Sequence, residues 1–479
     1  MVPEPAHEER NMSAKKILVI SCNPDPLCIA AEVVLIRNRR GNATVSALNL
    51  NQAIGSVSEA NTVRDKLYEF IDRKYTRFIV PEINGRDLTK SFAQDAVKIP
   101  ALPLSIDMVR KHKIADVNLG LAALSSAASL SRCTSERSCD YGFSLQRAWR
   151  IAHLSYYAAL KLTTLNFDEV FIFNGRHAIS RPIVEVLECK AKFTYYEFDP
   201  QRQCYLLFDK KIHLPETLAD LIKNHLYNYD AAEEFFVSAI NRKLGTDSAK
   251  FTSNQKVGLL PQGLGGQEVI SFFSSSPDEF FAITDDARIS DDFSDQFDVA
   301  LFCAQECRRA EKKLVIRLHP HLLKKHPSWR EEWNFSVLQD LDATIIYPED
   351  KVDSYALISR SSGVITCGST IGIEAAYQSV PSAVVGNFLS VHIGCAMNAS
   401  ARQDLAGFIS CPQVEVGAKE HALLYGSYIA STRGNEIVGL TMRGGHYYFE
   451  EKNISPSRQF TSRLKALMVR PVGRLSKYF

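Results

Sequence analysis

Residues 362–388 of this 479-residue chain read SGVITCGSTIGIEAAYQSVPSAVVGNF. The apolar, β-branched run 364–366 has the length and composition of a buried parallel strand. A small-residue turn follows, and Ser369 or Thr370 has the side chain of a helix N-cap. A proline then stops the helical spacing, and residues 383–385 form the next apolar run. The stretch therefore predicts a strand, a turn, a helix and a second strand, which is the repeating unit of an open α/β sheet.

The turn and the helix start of this unit are suited to binding an anion. Unpaired N–H groups and the positive end of the helix dipole lie there, and Gly368 would let a phosphate approach the backbone. Thr370, Glu374 and Gln378 are spaced four residues apart and share one helix face. On that face Glu374 could accept hydrogen bonds from both hydroxyls of a ribose. The same spacing also fits an ordinary strand-helix-strand unit in which Ser369 is only a cap.

The composition is that of an ordinary soluble globular protein. Hydrophobic residues make up 46% and charged residues 23% of the chain, and the formal net charge is +2. This balance gives no reason to expect binding to nucleic acid. Residues 1–13 are too polar for a secretory signal, and the apolar stretch 117–130 is too short to span a bilayer. The eleven cysteines are scattered without zinc-ribbon spacing, which favours free thiols in a reducing cytoplasm.

The length of the chain predicts two or three domains. One alternation of strands and helices begins near residue 15, and a second, more regular one begins near residue 268. The sequence therefore predicts the α/β class, with two Rossmann-like, doubly wound domains that face a cleft. The predicted boundaries are a disordered tail at 1–13, a first domain at 14–250, a linker at 251–267, a second domain at 268–430, and a helical and basic segment at 431–479 that could pack back on the first domain.

Polar side chains follow two further strands of the predicted second domain. Ser274 and Ser275 come directly after one apolar run, and His319 follows the next, where a proline ends the strand. Because ligands of open parallel sheets sit at the carboxyl ends of the strands, these side chains are candidates for binding phosphate. The alternatives are a Ser-Pro helix cap at the first position and a metal site formed by His319 with His321. We interpret His321 as a solvated loop residue.

The first domain has its own polar strand ends. Asn174 and Arg176 follow one predicted strand, and Arg181 lies one helical turn further on, so that an arginine pair could hold a carboxylate or a phosphate. Glu197 ends the next strand and is a candidate base for activating an acceptor hydroxyl. Asp25, in the first loop, is the alternative base. An acidic residue in a loop is also commonly a cap or simply solvated.

Taken together, these stretches resemble bacterial capsule and surface-polysaccharide glycosyltransferases of the GT-B fold. The motifs that carry the resemblance to their nucleotide-binding half are SFFSSSPDEF at 271–280, RLHP at 317–320 and GSTIGIEAA at 368–376. FNGR at 173–176, followed by Arg181-Pro and Glu197, resembles their other half. The likeness spans roughly residues 15–430. UDP-sugar 2-epimerases have a similar fold, but their helix-start motif is richer in Gly and Glu.

The resemblance implies roles for particular residues. In related sialyl- and Kdo-type transferases a His-Pro motif and a Ser/Thr helix start hold the phosphates of the donor, which implies donor binding by His319, Ser369 and Thr370. Glu374 resembles the ribose-binding glutamate that is found more widely in GT-B enzymes. The acidic catalytic motif of those sialyltransferases has no counterpart that we can place here, so that Glu197, Asp25 and His319 all remain candidates for catalysis.

The resulting expectation is a cytoplasmic, metal-independent glycosyltransferase. It would move a sugar from a nucleotide-sugar, with a CMP-sugar slightly favoured, to a surface polysaccharide or a lipid-linked glycan. The alternatives are a nucleotide-sugar 2-epimerase and a non-catalytic glycan-assembly protein. No cofactor and no metal is expected, because no Gly-x-Gly-x-x-Gly turn and no Asp-x-Asp pair follows a strand. The basic, amphipathic end 457–479 suggests peripheral contact with the inner face of the cytoplasmic membrane, or else packing across the cleft.

Overall fold

The computed structural model describes most of the chain between residues 15 and 453. The described residues are 15–21, 26–39, 43–49, 95, 98–131, 139–199, 204–211, 213–241, 252, 254–276, 282, 288–325, 327–432, 436–437, 440–443, 446–449 and 452–453. Three sequence predictions fall outside these ranges: the tail at 1–13, the candidate base Asp25, and the basic end at 457–479.

The first half is built on a sheet of six strands. The strands of this sheet are β1 (Lys15–Ser21), β2 (Ala43–Asn49), β3 (Glu169–Phe173), β4 (Lys192–Asp199), β5 (Cys204–Phe208) and β12 (Glu436–Ile437). Their order in space is β12-β5-β4-β3-β1-β2. The pairs among β1 to β4 are parallel, whereas β5 and β12 add to the edge in antiparallel fashion. Continuous apolar runs explain β1 and β3, because both faces of a parallel sheet are covered.

Several helices precede the second sheet in sequence, and some of them pack on the first sheet. Those described before the second sheet begins are α1 (Pro26–Arg39), α2 (Ile106–Arg110), α3 (Leu119–Ser131), α4 (Cys139–Leu162), α5 (Ser180–Leu187), α6 (Pro215–Lys223) and α7 (Tyr229–Ile240). The polar composition of residues 132–142 predicts a loop and the spacing predicts a helix from residue 148, whereas α4 already begins at Cys139. Buried residues such as Tyr141 and Leu145 pack in this first stretch of α4, which explains the earlier start.

The second half is a wholly parallel sheet. Its strands are β6 (Val269–Phe273), β7 (Lys313–Arg317), β8 (Thr344–Ile346), β9 (Gly363–Thr366), β10 (Ser382–Val384) and β11 (Met397–Asn398). Their order is β11-β10-β9-β6-β7-β8, so the direction of winding reverses between β6 and β9. In a doubly wound sheet this switch point opens a crevice at the carboxyl ends of the strands. The prediction of two Rossmann-like α/β halves is confirmed by the two sheets.

Helices lie on both faces of the second sheet. They are α8 (Gln296–Arg309), α9 (Phe335–Asp340), α10 (Ser354–Arg360), α11 (Ile371–Tyr377), α12 (Leu389–His392), α13 (Arg402–Ser410) and α14 (Ala418–Thr432), with two 3₁₀ helices at Pro320–Lys324 and Pro327–Glu332. A three-stranded antiparallel sheet follows: β13 (Leu440–Arg443), β14 (His446–Phe449) and β15 (Lys452–Asn453). No described helix is long and apolar enough to cross a membrane.

Packing between the halves does not follow the boundaries predicted at residues 250 and 267. Helices α6 and α7 precede the second sheet in sequence, yet they share a core with α11 and α14: Phe236 of α7 stacks on Tyr377 of α11 with ring centroids 4.3 Å apart. Residues of the predicted linker are bonded to the second half, since Gly258 N–H donates to Asp353 Oδ2 at 2.7 Å. After α14, the chain returns to the first sheet through β12.

Candidate functional site

The loops after β6 and β7 are tied together beside the switch point. The backbone N–H of His319 donates to Ser274 Oγ at 2.9 Å, and Ser274 N–H donates to the carbonyl of Arg317 at 3.0 Å. Ser274 is only 2% exposed, because its hydroxyl serves this link. The predicted phosphate-binding serine therefore has a positioning role: it fixes His319 at the carboxyl end of β7.

His319 itself is oriented by the turn that follows it. Its Nδ1 accepts a hydrogen bond from His321 N–H at 3.2 Å and caps the 3₁₀ helix that begins at Pro320. A neutral imidazole that accepts at Nδ1 carries its proton on Nε2, so this ring presents an N–H donor on its other edge. The ring is partly exposed. His321 thus orients His319 through its backbone. Among the described residues, no group of three or more His, Cys, Asp or Glu side chains is placed to hold a metal ion.

The turn after β9 has the predicted conformation but a different packing partner. Gly368 has a φ of +90°, which a side chain rarely adopts, and a Cβ placed there would lie 2.6 Å from the ring of Phe388. The sequence interpretation gave this space to a phosphate, whereas the structure fills it with the aromatic ring. Ser369 Oγ accepts from Ile371 N–H at 3.3 Å, while Thr370 makes no capping bond, which decides between the two predicted caps.

The three residues predicted to share a face of α11 already have partners within the fold. Thr370 Oγ1 donates to Glu374 Oε1 at 3.2 Å, and Ser359 Oγ donates to Gln378 Oε1 at 2.7 Å. Glu374 is 8% exposed, and its burial raises the pKa of the carboxyl, opposed by the hydroxyls of Tyr355 and Thr370. A ribose at this face would therefore meet a carboxyl that is oriented in advance by Thr370.

In the first half, the turn after β3 brings Asn174 and Glu197 into contact. Asn174 has a φ of 58° and Gly175 a φ of 87°, so the chain reverses sharply at the carboxyl edge of the sheet. This turn directs Asn174 Nδ2 to Glu197 Oε1 in a close hydrogen bond, while Asn174 Oδ1 accepts from Arg176 N–H at 3.2 Å. Two residues 23 apart in sequence thus form one unit.

The environment of Glu197 suits proton transfer near neutral pH. Burial raises the pKa of its carboxyl to about 7, although the bond from Asn174 and the charge of Arg176 both favour the ionised form. A general base is most effective when its pKa lies near the working pH.

Arg181 is used differently from the prediction that paired it with Arg176. Its Nε donates to Glu185 Oε1 at 2.7 Å, an ion pair within α5. Its Nη1 donates to the carbonyl of Ala282, in the connection after β6, at 3.4 Å. The charge of Arg181 is therefore largely engaged, and the side chain links the turn after β3 to the loop at the switch point of the other sheet.

Sequence reasoning missed two histidines of this cluster. His177 belongs to the same turn as Arg176, and His213 arrives from the connection between β5 and α6. Burial and then the charge of Arg176 lower the pKa of both imidazoles to about 3, with Arg181 adding to the effect at His213. Both rings are neutral at physiological pH. No spacing signal points to His213, because it is brought in by the fold from a connection without a motif.

A cavity of about 1210 Å³ is lined by loops of the second half and by the segment that follows His213. Its walls come from the segment 214–216, the connection after β6, the start of α8, the 3₁₀ region before α9, and the ends of β10 and β11. His213, immediately before the wall residue Leu214, joins the cavity to the Glu197 cluster. Among the predicted donor-binding residues only Ser275 lines the cavity.

Comparison with known proteins gives remote likenesses only. No family model and no curated protein sequence matches the chain. Among solved structures, it is similar to KpsC, a β-Kdo 2,4-transferase of Thermosulfurimonas dismutans, with 12% identity over 55% of this chain and 79% of that one and a TM-score of 0.36. It is also similar to a UDP-GlcNAc 2-epimerase of Neisseria meningitidis bound to UDP-GlcNAc, with 12% identity over 95% of this chain and 99% of that one and a TM-score of 0.29. The glycosyltransferase SnogD of Streptomyces nogalater is similar with 10% identity over 95% of this chain and 99% of that one and a TM-score of 0.25. These likenesses do not decide between transferase and epimerase.

Proposed function

We propose that the protein is a glycosyltransferase that moves a sugar from a nucleotide-sugar to a glycan acceptor. The observation that carries the proposal is the bond from Arg181 to the Ala282 carbonyl, because it brings the turn beside Glu197 to the loop at the switch point of the second sheet. On this proposal the Glu197 carboxyl, whose pKa is about 7, would face the crevice at the carboxyl ends of the second sheet.

On the donor side, the proposal assigns the leaving phosphate to the loops after β7 and β9. His319 would donate from Nε2 as charge develops on the bridging oxygen. Thr370 gives its single hydroxyl proton to Glu374 and would act beside the phosphate by orienting that carboxyl. Ser369 supports this loop through its bond to Ile371 N–H. Glu374, oriented by Thr370, would accept from ribose hydroxyls. The His319-Pro320 pair resembles that of CMP-sugar transferases, which supports a CMP-sugar as donor. No metal is needed in this scheme.

On the acceptor side, Glu197 acts as the base. It takes the proton of the acceptor hydroxyl, whose oxygen forms a bond to the anomeric carbon. The bond from that carbon to the phosphate oxygen breaks, and its electron pair leaves with the nucleotide. Asn174 holds one carboxylate oxygen and thereby aims the other. Arg176 lies close enough to favour the ionised carboxylate and would contact the acceptor.

The large cavity favours a transferase over an epimerase. An epimerase acts on one nucleotide-sugar, whereas a transferase must hold a second sugar-bearing substrate beside the first. Neither His319 nor Thr370 lines the cavity, so its volume of about 1210 Å³ does not include the space beside those two residues. A common pocket for a small ligand is about 300–1,000 Å³.

The donor assignment is tested by nucleotide binding. A thermal-shift screen with CMP, UDP, GDP and CDP selects the nucleotide, and calorimetry then compares the wild type with Glu374→Gln, which keeps the side-chain volume and the acceptor for Thr370. We expect about 1–3 kcal/mol weaker binding, because a charge-assisted hydrogen bond becomes a neutral one. Gln378→Ala, one turn further along the same face, is the matched control. Equal affinity of Glu374→Gln and wild type would remove the ribose assignment.

The reaction is tested with a donor labelled in its sugar. Label that appears in an oligosaccharide acceptor supports transfer, label that remains in an isomerised nucleotide-sugar supports epimerisation, and binding without either product supports a non-catalytic role. Glu197→Gln should abolish most of the transfer while leaving donor affinity unchanged.

A further inference from the structure

The cavity beside the proposed donor site has its own chemistry. We call it the α8 pocket, because Asp295, Gln296 and Phe297 at the start of α8 form one of its walls. Its opposite wall is Leu214 to Glu216, at the start of α6. Neither His319 nor Thr370 lines it, so its ligand need not be the nucleotide.

Ser275 provides a hydroxyl without a partner in this pocket. The residue is 5% exposed, and its Oγ has no hydrogen-bond partner. Its backbone is clamped by Gln296, whose Oε1 accepts from Ser275 N–H at 2.7 Å and whose Nε2 donates to the Ser275 carbonyl at 3.3 Å. Buried hydroxyls without partners are rare, because they forgo the hydrogen bonds that water would give them. Because only the backbone of Ser275 is held, rotation about its Cα–Cβ bond would turn the buried hydroxyl toward a ligand hydroxyl.

Carboxylates dominate the charge of the pocket. The described acidic lining residues are Glu216, Asp291, Asp292, Asp295 and Glu332, against Arg288 as the one described Lys or Arg. Arg288 pairs with Asp291 at 3.1 Å, and Asp292 accepts from the backbone N–H of Arg402 at 2.8 Å.

The other three carboxylates have no ion pair with a Lys or Arg among the residues that the structure describes, although Glu216 Oε1 lies 3.6 Å from His392 Nε2. Burial and then the charge of Asp295 raise the pKa of Glu332 to about 7, so that Glu216 and Asp295 carry the charge of this group at neutral pH. Glu216 accepts from Asn387 Nδ2 at 2.6 Å, and Asp295 accepts from Asp298 N–H at 2.9 Å as the cap of α8. These bonds satisfy oxygen atoms but do not neutralise charge. Ionised carboxylates only accept hydrogen bonds, so a ligand here must donate them, and a second anion would be repelled.

The remaining walls combine aromatic rings with neutral polar groups. Phe297 and Phe388 are partly exposed, above the buried rings of Trp329 and Trp333. The neutral polar side chains of the lining are Ser275, Ser290, Ser294, Gln296, Asn387, Asn398 and Ser400. An apolar face with several hydroxyl donors at its edge is the chemistry of a sugar ring, and it fits these walls better than a purely cationic or purely apolar ligand.

We propose that the α8 pocket binds a sugar unit of the acceptor that carries no acidic group, either neutral or amino-substituted. The identification of the ligand as a sugar rests on the proposed function, whereas the exclusion of anions rests on the pocket alone. The pocket thereby selects the acceptor end of the reaction and rejects the phosphate-bearing donor.

The test is direct binding without any donor, measured by saturation-transfer NMR and calorimetry. The probes are disaccharides of gluco, galacto and manno configuration, each as the neutral form, the amino form and the uronic-acid form. We expect at least one neutral or amino form to bind and its uronic-acid analogue to bind about tenfold more weakly or worse, from the repulsion of like charges across the pocket.

Two variants link this binding to the pocket. Ser275→Ala should lower the affinity for the disaccharide about fivefold or more. Its melting temperature should stay unchanged or rise, because the lost hydroxyl has no partner in the free protein. Asp295→Asn keeps an N-cap acceptor for α8 but removes the charge, so the uronic-acid form should gain affinity relative to the neutral one. Ser410→Ala, exposed on α13, is the control.

Three results would overturn the inference: no binding of any neutral or amino form at about 10 mM, equal affinity for the uronic-acid form, or unchanged affinity in Ser275→Ala. Because no donor is present in this assay, these outcomes leave the transfer reaction and its own labelled-donor test unaffected. Conversely, if the disaccharides bind as expected but no label is transferred, the glycosyltransferase assignment fails and the pocket remains a sugar site.

Discussion

Replacing Glu197 by glutamine should change the pH dependence of stability in a defined way. Glutamine keeps the side-chain shape and the carbonyl oxygen that accepts from Asn174 Nδ2, so that only the titrating proton is lost. The variant therefore isolates the one property on which the proposed base depends, which is a carboxyl pKa raised to about 7 by burial.

The magnitude follows from the size of the shift. The carboxyl changes from an ordinary pKa of 4.5 to about 7 on folding. At about 1.36 kcal/mol for each unit, this corresponds to about 3 kcal/mol. Because the folded-state pKa is raised, the folded protein holds this proton more tightly than the unfolded chain. The stabilisation is therefore fully present below pH 4.5 and is lost as the pH rises through 7.

The quantity to measure is the difference in unfolding free energy between Glu197→Gln and the wild type. Between pH 5 and 8.5 this difference should move by about 2–3 kcal/mol in favour of the variant. Other titrating groups, including the two buried histidines nearby, are common to both proteins and largely cancel.

Urea unfolding at each pH provides the assay. A background with Trp329→Phe and Trp333→Phe leaves Trp149, in the first half, as the fluorescent reporter, since the chain has three tryptophans. Glu415→Gln, an exposed carboxylate in the second half, controls for the loss of one charge. A difference that stays constant with pH would refute the raised pKa and with it the reason for choosing Glu197 as base. A confirmed shift should be accompanied by a loss of transfer activity of about 10²–10⁴-fold.

Three further predictions concern the turn after β9, metal and membranes. Gly368→Ala should destabilise the second half by about 1–3 kcal/mol, because the φ of Gly368 is +90° and the new Cβ would meet the ring of Phe388. Gly407→Ala in α13 places its Cβ in open space and should stabilise the second half by about 0.5–1 kcal/mol. Urea unfolding compares the two variants, and equal effects would contradict the packing described here. Transfer activity should survive EDTA, and a complete loss that Mg²⁺ or Mn²⁺ restores would show that a metal stabilises the leaving group. The full-length chain should co-sediment with anionic vesicles at low but not at high salt because of the basic residues in 457–479, and a protein that stays in the supernatant at low salt would end that hypothesis.

Strands were the easiest part of this fold to predict from the sequence. Parallel strands buried on both faces must be continuously apolar, and for that reason the apolar runs at 17–20, 170–173 and 364–366 mark β1, β3 and β9. The sixth strand of the second sheet, β11, was missed, because its two residues are too few to leave a pattern. The helical spacing of residues 216–244 predicts α6 and α7, but nothing in this spacing reveals that their apolar faces pack on the second half.

The candidate site was predictable where chemistry and strand ends coincide. The contact between Asn174 and Glu197 joins two strand ends that were singled out separately. The role of Gly368 could not be derived locally, because the ring that fills its open side belongs to Phe388, twenty residues later. His213 and the α8 pocket arise from connections that come together only in the folded chain, and such positions carry no spacing signal.

The short strand β12 has a consequence for how the protein is made. It covers β5, which would otherwise be the open edge of the first sheet, and it lies about 230 residues further along the chain. At a translation rate of about 5–20 residues per second, that edge stays uncovered for roughly 10–50 s while the ribosome completes the second half. Unpaired strand edges can pair with other chains, so the nascent protein is exposed to such pairing during this interval. Codon choice across the second half should therefore affect soluble yield more than codon choice before β5.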